Sequence, residues 1–139
     1  MNTPAFIVLH TLAYEGDADI DRVRRWHVDR GWQDVGYHYL VRRSGEVQTG
    51  RPESMAGAHA LGYNDKSIGI ACEGHGDKQA WLFPQLLSLF RLIDDVSRRH
   101  EIPPHKVIGH RETGARKTCP GTLVDMDALR ALLFEYMTE

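Results

Sequence analysis

The chain has 139 residues, of which 42% are hydrophobic and 26% are charged. This length supports one hydrophobic core, so residues 1–139 are predicted to form a single domain. A formal net charge of -2 excludes a general attraction to nucleic acid or to an anionic membrane surface. The two cysteines, Cys72 and Cys119, exclude a disulfide framework as the main source of stability.

The chain begins with a predicted strand and a predicted helix. The apolar run Phe6–Leu9 is typical of a buried strand, and it ends at His10. Asp17 or Asp19 can cap the helix that follows, and Gly31 can end it. The helical spacing of apolar residues and a histidine predicts the buried face of this helix: Ile20, Val23 and His27.

A hairpin, a long loop and a second buried strand are predicted next. The segment Tyr37–Val41 alternates as a strand does, and a turn leads into Val47–Gln48. Residues 50–64 contain several glycines and no regular period, so they are predicted to form an ordered loop. Ile68–Cys72 is again a short apolar run, typical of a buried strand.

The last third of the chain is predicted to contain two helices separated by one short strand. A helix starts at Phe83 and continues to His100, where the following prolines prevent its continuation. Lys106–Gly109 is predicted to be a strand that leads to His110, and a closing helix starts at Asp125. The inner face of the closing helix is predicted from its apolar spacing: Leu129, Leu132, Leu133 and Tyr136.

Short buried strands between helices predict an α/β domain with a central mixed β-sheet flanked by about three helices. The first ten residues lack the basic region and the long apolar run of a signal peptide. No stretch approaches the roughly 18 to 20 apolar residues of a membrane span. The protein is therefore expected to be made in the cytoplasm and not to insert into a membrane.

Three side chains with affinity for zinc are predicted to lie at strand ends or in the loop after one: His10, His110 and Cys119. A catalytic zinc site uses three protein ligands, because the fourth position stays open for water. From the residues alone a second interpretation stays open, since scattered histidines are more often surface or core residues than ligands.

Four motifs, in chain order, give a more specific indication: FIVLHTLA, WHVDRGWQDVGYHYLVRRSGEVQTGR, GAHALGYNDKSIGI and GHRETGARKTCPG. Together they resemble the zinc-dependent N-acetylmuramoyl-L-alanine amidases of the type-2 family. Within this family the chain is most similar to short single-domain phage endolysins, and more distantly to the peptidoglycan recognition proteins. The resemblance implies one Zn²⁺ per chain, held by His10, His110 and Cys119.

The implied reaction is hydrolysis of the amide between N-acetylmuramic acid and L-alanine in peptidoglycan. The resemblance assigns Lys117 to stabilising the oxyanion, and Tyr37 to a second donor or a proton shuttle. It also suggests substrate contacts for His59 and for Glu73. Some relatives carry a catalytic glutamate where this chain has Ala71. Tyr37 is expected to substitute for it, and Glu73, two residues later on the same face of the strand, is a second candidate.

As implied by the resemblance, the partner is peptidoglycan, and the protein is expected to be a monomer. Without a signal peptide, it is expected to reach periplasmic peptidoglycan after membrane permeabilisation, through a holin.

Three alternatives to this function stay open. One is a peptidoglycan-binding module without activity, although such proteins typically lack the ligand cysteine. Another is a cysteine hydrolase that uses Cys119 with His110. A third is regulatory binding to a phage RNA polymerase, which no sequence feature supports.

Overall fold

A five-stranded sheet forms the centre of the protein in the computed structural model, which describes residues 1–138. The strands are β1 (Phe6–Thr11), β2 (Tyr39–Val41), β3 (Val47–Thr49), β4 (Ser67–Cys72) and β5 (Val107–Gly109). Their order across the sheet is β3-β2-β4-β1-β5. Only β3 runs antiparallel to its neighbour, so the predicted mixed sheet is confirmed.

Three α-helices within the described residues cover the two faces of the sheet: α1 (Ile20–Asp29), α2 (Phe83–His100) and α3 (Met126–Thr138). Helices α2 and α3 pack on one face in the larger apolar cluster, together with Leu9 of β1. Helix α1 packs on the other face in a smaller cluster with Leu40 and Ala71. Among the described helices, none is both long and apolar enough to cross a membrane.

The helix boundaries follow the capping residues of the sequence. Asp19, one of the two predicted caps, accepts a hydrogen bond from the backbone N–H of Arg22 at the start of α1. Asp125 accepts one from the N–H of Ala128 at the start of α3. Each carboxylate pairs a backbone donor that the first turn of a helix leaves free.

Strand β2 begins at Tyr39, two residues later than predicted. The consecutive N–H groups of Gly50 and Arg51 bond to the consecutive carbonyls of His38 and Tyr37. A regular antiparallel ladder uses every second residue on one edge, so the chain departs from the ladder at this point. Tyr37 therefore precedes the strand.

The predicted buried face of α3 was wrong at Leu132, whose side chain is 55% exposed. Met126, Leu129 and Leu133 form the buried face. Leu132 lies at the edge of this face and lines a shallow apolar groove beside Trp81.

Candidate metal centre and active-site cleft

His10, His110 and Cys119 converge at one edge of the sheet, and their candidate ligand atoms all lie within 4.8 Å of one another. The Sγ atom of Cys119 is 3.7 Å from Nδ1 of His10. The ring centroids of His10 and His110 are 4.7 Å apart. Typical zinc bond lengths place tetrahedral nitrogen and sulfur ligands roughly 3.5 Å apart, so this donor set fits one zinc ion.

The parallel pairing of β1 with β5 brings the two histidines together. Leu9 pairs with Gly109, so the next residues, His10 and His110, lie side by side at the carboxyl ends of the two strands. Leu9 packs on the α2 and α3 face, and the alternation of side chains along a strand therefore turns His10 toward the α1 face. His10 is only 2% exposed.

Arg111 holds the loop that carries Cys119. Its backbone N–H donates to the carbonyl of Cys119 at 2.8 Å. Its guanidinium donates to the carbonyl oxygens of three further residues in or just after this loop: Thr118, Gly121 and Val124. A planar group with five donors can satisfy several loop carbonyls at once.

A second loop supports the Cys119 loop from the other side. The carboxylate of Asp77 accepts hydrogen bonds from the N–H of Thr122 at 2.7 Å and from the hydroxyl of Thr118 at 2.9 Å. Gly76 lies so close that an added Cβ atom would be 1.9 Å from the carbonyl oxygen of Pro120. Only glycine permits this close approach of the two backbones.

The carboxylate of Glu112 stabilises the turn that begins with His110. One oxygen of its carboxylate accepts the N–H of Gly109 at 2.8 Å. The carboxylate also forms a two-point ion pair with Arg130 of α3 at 2.7 and 2.9 Å. The position of His110 therefore depends on α3, through a contact that the sequence prediction did not include.

The sequence profile of the family described as N-acetylmuramoyl-L-alanine amidase matches residues 1–122. The chain belongs to this family. The resemblance inferred from the four motifs is thus confirmed.

Relatives and solved structures agree with this membership. The endolysin of Escherichia phage T7 is 37% identical over 106 residues, which span 73% of this chain and 68% of that protein. The N-acetylmuramoyl-L-alanine amidase LysC from Clostridium intestinale superposes with a TM-score of 0.89 at 29% identity, covering 95% of this chain and 86% of that one. Wild-type Drosophila PGRP-LB superposes with a TM-score of 0.78 at 26% identity, covering 100% of this chain and 82% of that one.

Local electrostatics in this family member favour neutral imidazoles at the centre. Burial lowers the pKa of His10 well below its usual value, and the nearby His59, His110 and Lys117 lower it further. Burial and Lys117 also lower the pKa of His110. A neutral imidazole has a free lone pair, so both rings are in the form that binds a metal.

The thiol of Cys119 is a poor nucleophile without a cation beside it. Burial raises its pKa to about 11, although the N–H of Thr11 and the charge of Lys117 act in the opposite direction. That N–H lies 3.3 Å from Sγ and can stabilise a thiolate once one forms. A metal ion deprotonates a coordinating thiol, whereas a cysteine hydrolase needs a lowered thiol pKa. This environment favours a metal ligand over a nucleophile.

Tyr37 and Lys117 both line the cleft that contains the three candidate ligands. This cleft has a volume of about 670 Å³. The ring centroid of Tyr37 is 5.1 Å from that of His10. Burial raises the pKa of Tyr37, and the thiolate form of Cys119 would raise it further, so its hydroxyl keeps its proton at neutral pH. Lys117 is exposed.

His59 also lines the cleft, but its ring is engaged with protein atoms. Its Nδ1 lies 2.8 Å from Nε2 of His10, and its Nε2 lies 3.2 Å from the hydroxyl of Ser67. Burial and the charges of His38, His110 and Arg51 lower the pKa of His59 to about 3, so it is neutral at physiological pH.

Glu73 does not line the cleft, which corrects the predicted substrate contact. It is 3% exposed, and its two carboxylate oxygens accept hydrogen bonds from the N–H of Ala18, the N–H of Arg43 and the guanidinium of Arg42. These bonds lower the pKa of Glu73, although burial alone would raise it. The carboxylate joins the segment before α1 to the β2–β3 turn.

Proposed function

We propose that this chain hydrolyses the amide bond between N-acetylmuramic acid and the L-alanine of the peptidoglycan stem peptide. The convergence of His10, His110 and Cys119 in one open cleft carries this proposal. Family membership supports it, since the matching profile bears the name of this activity.

The proposed zinc ligands are His10, His110 and Cys119, and one Zn²⁺ per chain completes the site. Bound zinc would supply a water nucleophile near neutral pH and a Lewis acid for the scissile carbonyl. Three ligands leave the fourth tetrahedral position for the reacting groups, as in other catalytic zinc sites.

Lys117 and Tyr37 are the proposed catalytic side chains. The ammonium of Lys117 stabilises the negative charge that develops on the carbonyl oxygen of the substrate. The neutral hydroxyl of Tyr37 donates a second hydrogen bond to this oxygen or passes its proton to the leaving nitrogen. Donors already in place for a developing charge cost little reorganisation, and losing one typically slows a reaction roughly a hundred- to a thousandfold.

The biological role that fits the relatives is that of an endolysin, since the matching phage proteins carry this name. In this role the protein is made in the host cytoplasm, is released through a holin and acts on periplasmic peptidoglycan as a monomer.

Peptidoglycan binding without hydrolysis is the second candidate, favoured by the Drosophila peptidoglycan-recognition protein SC2, which is 35% identical over 105 residues. The complete set of three candidate ligands in this chain supports hydrolysis instead.

Removing the metal with a chelator and then adding zinc tests whether hydrolysis depends on zinc. The purified protein is depleted of metal, given one equivalent of zinc, and assayed on isolated sacculi at each stage. We expect sacculus clearing to disappear on depletion and to return with zinc. Binding of sacculi without clearing by the zinc-loaded protein would support the binding module, and clearing that survives depletion would support a cysteine hydrolase.

A further inference from the structure

We infer that His59 is a positioning residue that fixes the tautomer of His10, so that Nδ1 of His10 faces the metal. The inference rests on the proposed zinc centre. His59 also lines the cleft, and both of its ring nitrogens lie within hydrogen-bond distance of protein atoms.

The direction of each hydrogen bond follows by elimination from Ser67. Its hydroxyl lies 2.6 Å from the carbonyl oxygen of Tyr63, which can only accept, so the single hydroxyl proton is donated there. The Ser67 oxygen must therefore accept at its other contact, 3.2 Å from Nε2 of His59. This contact places the proton of the His59 ring on Nε2.

The tautomer of His59 in turn determines the tautomer of His10. A neutral imidazole carries one ring proton, so Nδ1 of His59 is left as an acceptor. Its partner at 2.8 Å, Nε2 of His10, must then be the donor. Nδ1 of His10 keeps its lone pair, and this is the atom that lies 3.7 Å from Sγ of Cys119.

The backbone leaves room for the His59 ring at this position and holds its segment in place. A Cβ atom added to Gly57 would lie 2.4 Å from the ring, and one added to Gly69 would lie 2.6 Å from it. The side chain of Asn64 accepts the backbone N–H groups of His59 and Ala60 at 2.8 and 2.9 Å. The ring is thus wedged between two glycine positions on an anchored loop.

A hydrogen-bond acceptor behind a ligand histidine orients the ring and makes it a stronger donor to the metal. Losing such a partner typically lowers metal affinity roughly 10- to 100-fold. Here the acceptor is another imidazole, and its own tautomer is set by Ser67 and the Tyr63 carbonyl.

The test compares His59→Phe with His59→Asn in zinc-loaded protein. Phenylalanine keeps a ring but removes the acceptor, whereas the asparagine oxygen can replace Nδ1. Leu61→Ala is the matched control, since Leu61 lines the same cleft and is 93% exposed. Zinc affinity is measured by competition with a chromophoric chelator, without substrate, and circular dichroism verifies folding.

We expect zinc affinity to fall about 10- to 100-fold in His59→Phe, to recover largely in His59→Asn and to stay unchanged in Leu61→Ala. Nitrogen-15 NMR of the histidine rings in the wild type should show the His10 proton on Nε2, with or without zinc. Wild-type zinc affinity in His59→Phe, or a His10 proton on Nδ1 in the wild type, would overturn the inference.

These outcomes separate the inference from the proposed function. A wild-type protein that binds no zinc contradicts the proposed function, and the NMR tautomer of His10 still decides the role of His59. If His59→Phe and the wild type bind zinc equally tightly and hydrolyse peptidoglycan at equal rates, the proposed function stands. The positioning role of His59 is then contradicted.

Discussion

The Sγ atom of Cys119 lies 3.7 Å from Nδ1 of His10, although the two residues are 109 positions apart in the sequence. His10 lies near the end of β1, and Cys119 lies in a loop that is held by Arg111 and by a neighbouring loop. A metal ion bound between them would join distant parts of the chain. Because a ligand that binds only the folded state stabilises it, zinc is expected to raise the melting temperature.

Replacing Cys119 with serine should remove zinc and activity together. The serine hydroxyl is a poor zinc ligand at neutral pH, so the zinc-dependent rise in melting temperature should disappear as well. The measurement is zinc content by atomic absorption, with thermal unfolding in the presence and absence of zinc. Cys72→Ala is the matched control, because it removes the other thiol and should keep one zinc per chain. A Cys119→Ser protein that retains stoichiometric zinc would contradict the ligand assignment.

Replacing Lys117 with alanine should separate activity from metal binding. The expected result is a roughly hundred- to thousandfold fall in kcat/KM with unchanged zinc content, because the proposed oxyanion donor is lost while the three proposed zinc ligands remain. Arg116→Ala is the control for net charge, since Arg116 is an exposed neighbour in the same loop. Equal losses of activity in the two variants would show that loop charge matters, and not a specific donor at Lys117.

Arg111 is expected to be needed for the shape of the Cys119 loop. Arg111→Ala should lower zinc affinity about tenfold and reduce the free energy of unfolding by roughly 1–3 kcal/mol, because several loop carbonyls lose their donor. Arg111→Lys keeps the charge but not the planar set of donors, so it should restore little of the loss. Chelator competition and urea unfolding provide the two measurements. Full recovery in Arg111→Lys would mean that charge alone holds the loop.

Glu53, which does not line the cleft, should make the stability of the protein depend on pH. Burial would raise its pKa, but hydrogen bonds from Tyr39, Arg99 and His100 outweigh burial and lower the pKa to about 2. A carboxylate with a lowered folded-state pKa stabilises the protein above its unfolded pKa, near 4.5, and this stabilisation is lost as pH falls toward about 2. Its contribution at pH 7 is at most ~3 kcal/mol, less the part removed by solvent screening.

The corresponding experiment is urea unfolding of Glu53→Gln at pH 7 and pH 3. The variant should be less stable than the wild type at pH 7, and the difference should shrink at pH 3. Asp94→Asn is the control, because Asp94 forms an ion pair with Arg98 one turn along the surface of α2, and such pairs contribute about 0.5 kcal/mol or less. An equal difference between Glu53→Gln and wild type at both pH values would rule out this linkage.

The strands and the helices could be predicted from local patterns, whereas the grouping of His10, His110 and Cys119 into one ligand set came from the resemblance of four ordered motifs to a known family. Apolar runs and capping residues specify the elements, and parallel strands place His10 and His110 at one edge. The contacts of Arg111 could not be predicted this way, because its partners are backbone carbonyls, which every sequence contains. The same holds for Glu73, whose carboxylate is engaged by two backbone N–H groups and an arginine.

Contacts between two side chains can also be impossible to predict from the sequence, as His59 shows. Its motif indicated the cleft, and the structure places it there. Its contact with His10 depends on the register of β4 with β1 and on the space at Gly69, neither of which a single sequence displays.

Hydrolysis of the amide between N-acetylmuramic acid and L-alanine is best tested by mass spectrometry of purified peptidoglycan digested by the zinc-loaded protein, with Cys119→Ser as the inactive control. We expect intact glycan strands and released peptides that begin with a free L-alanine amino group. New reducing sugar ends, or cleavage within the stem peptide while the L-alanine amide remains intact, would contradict this expectation.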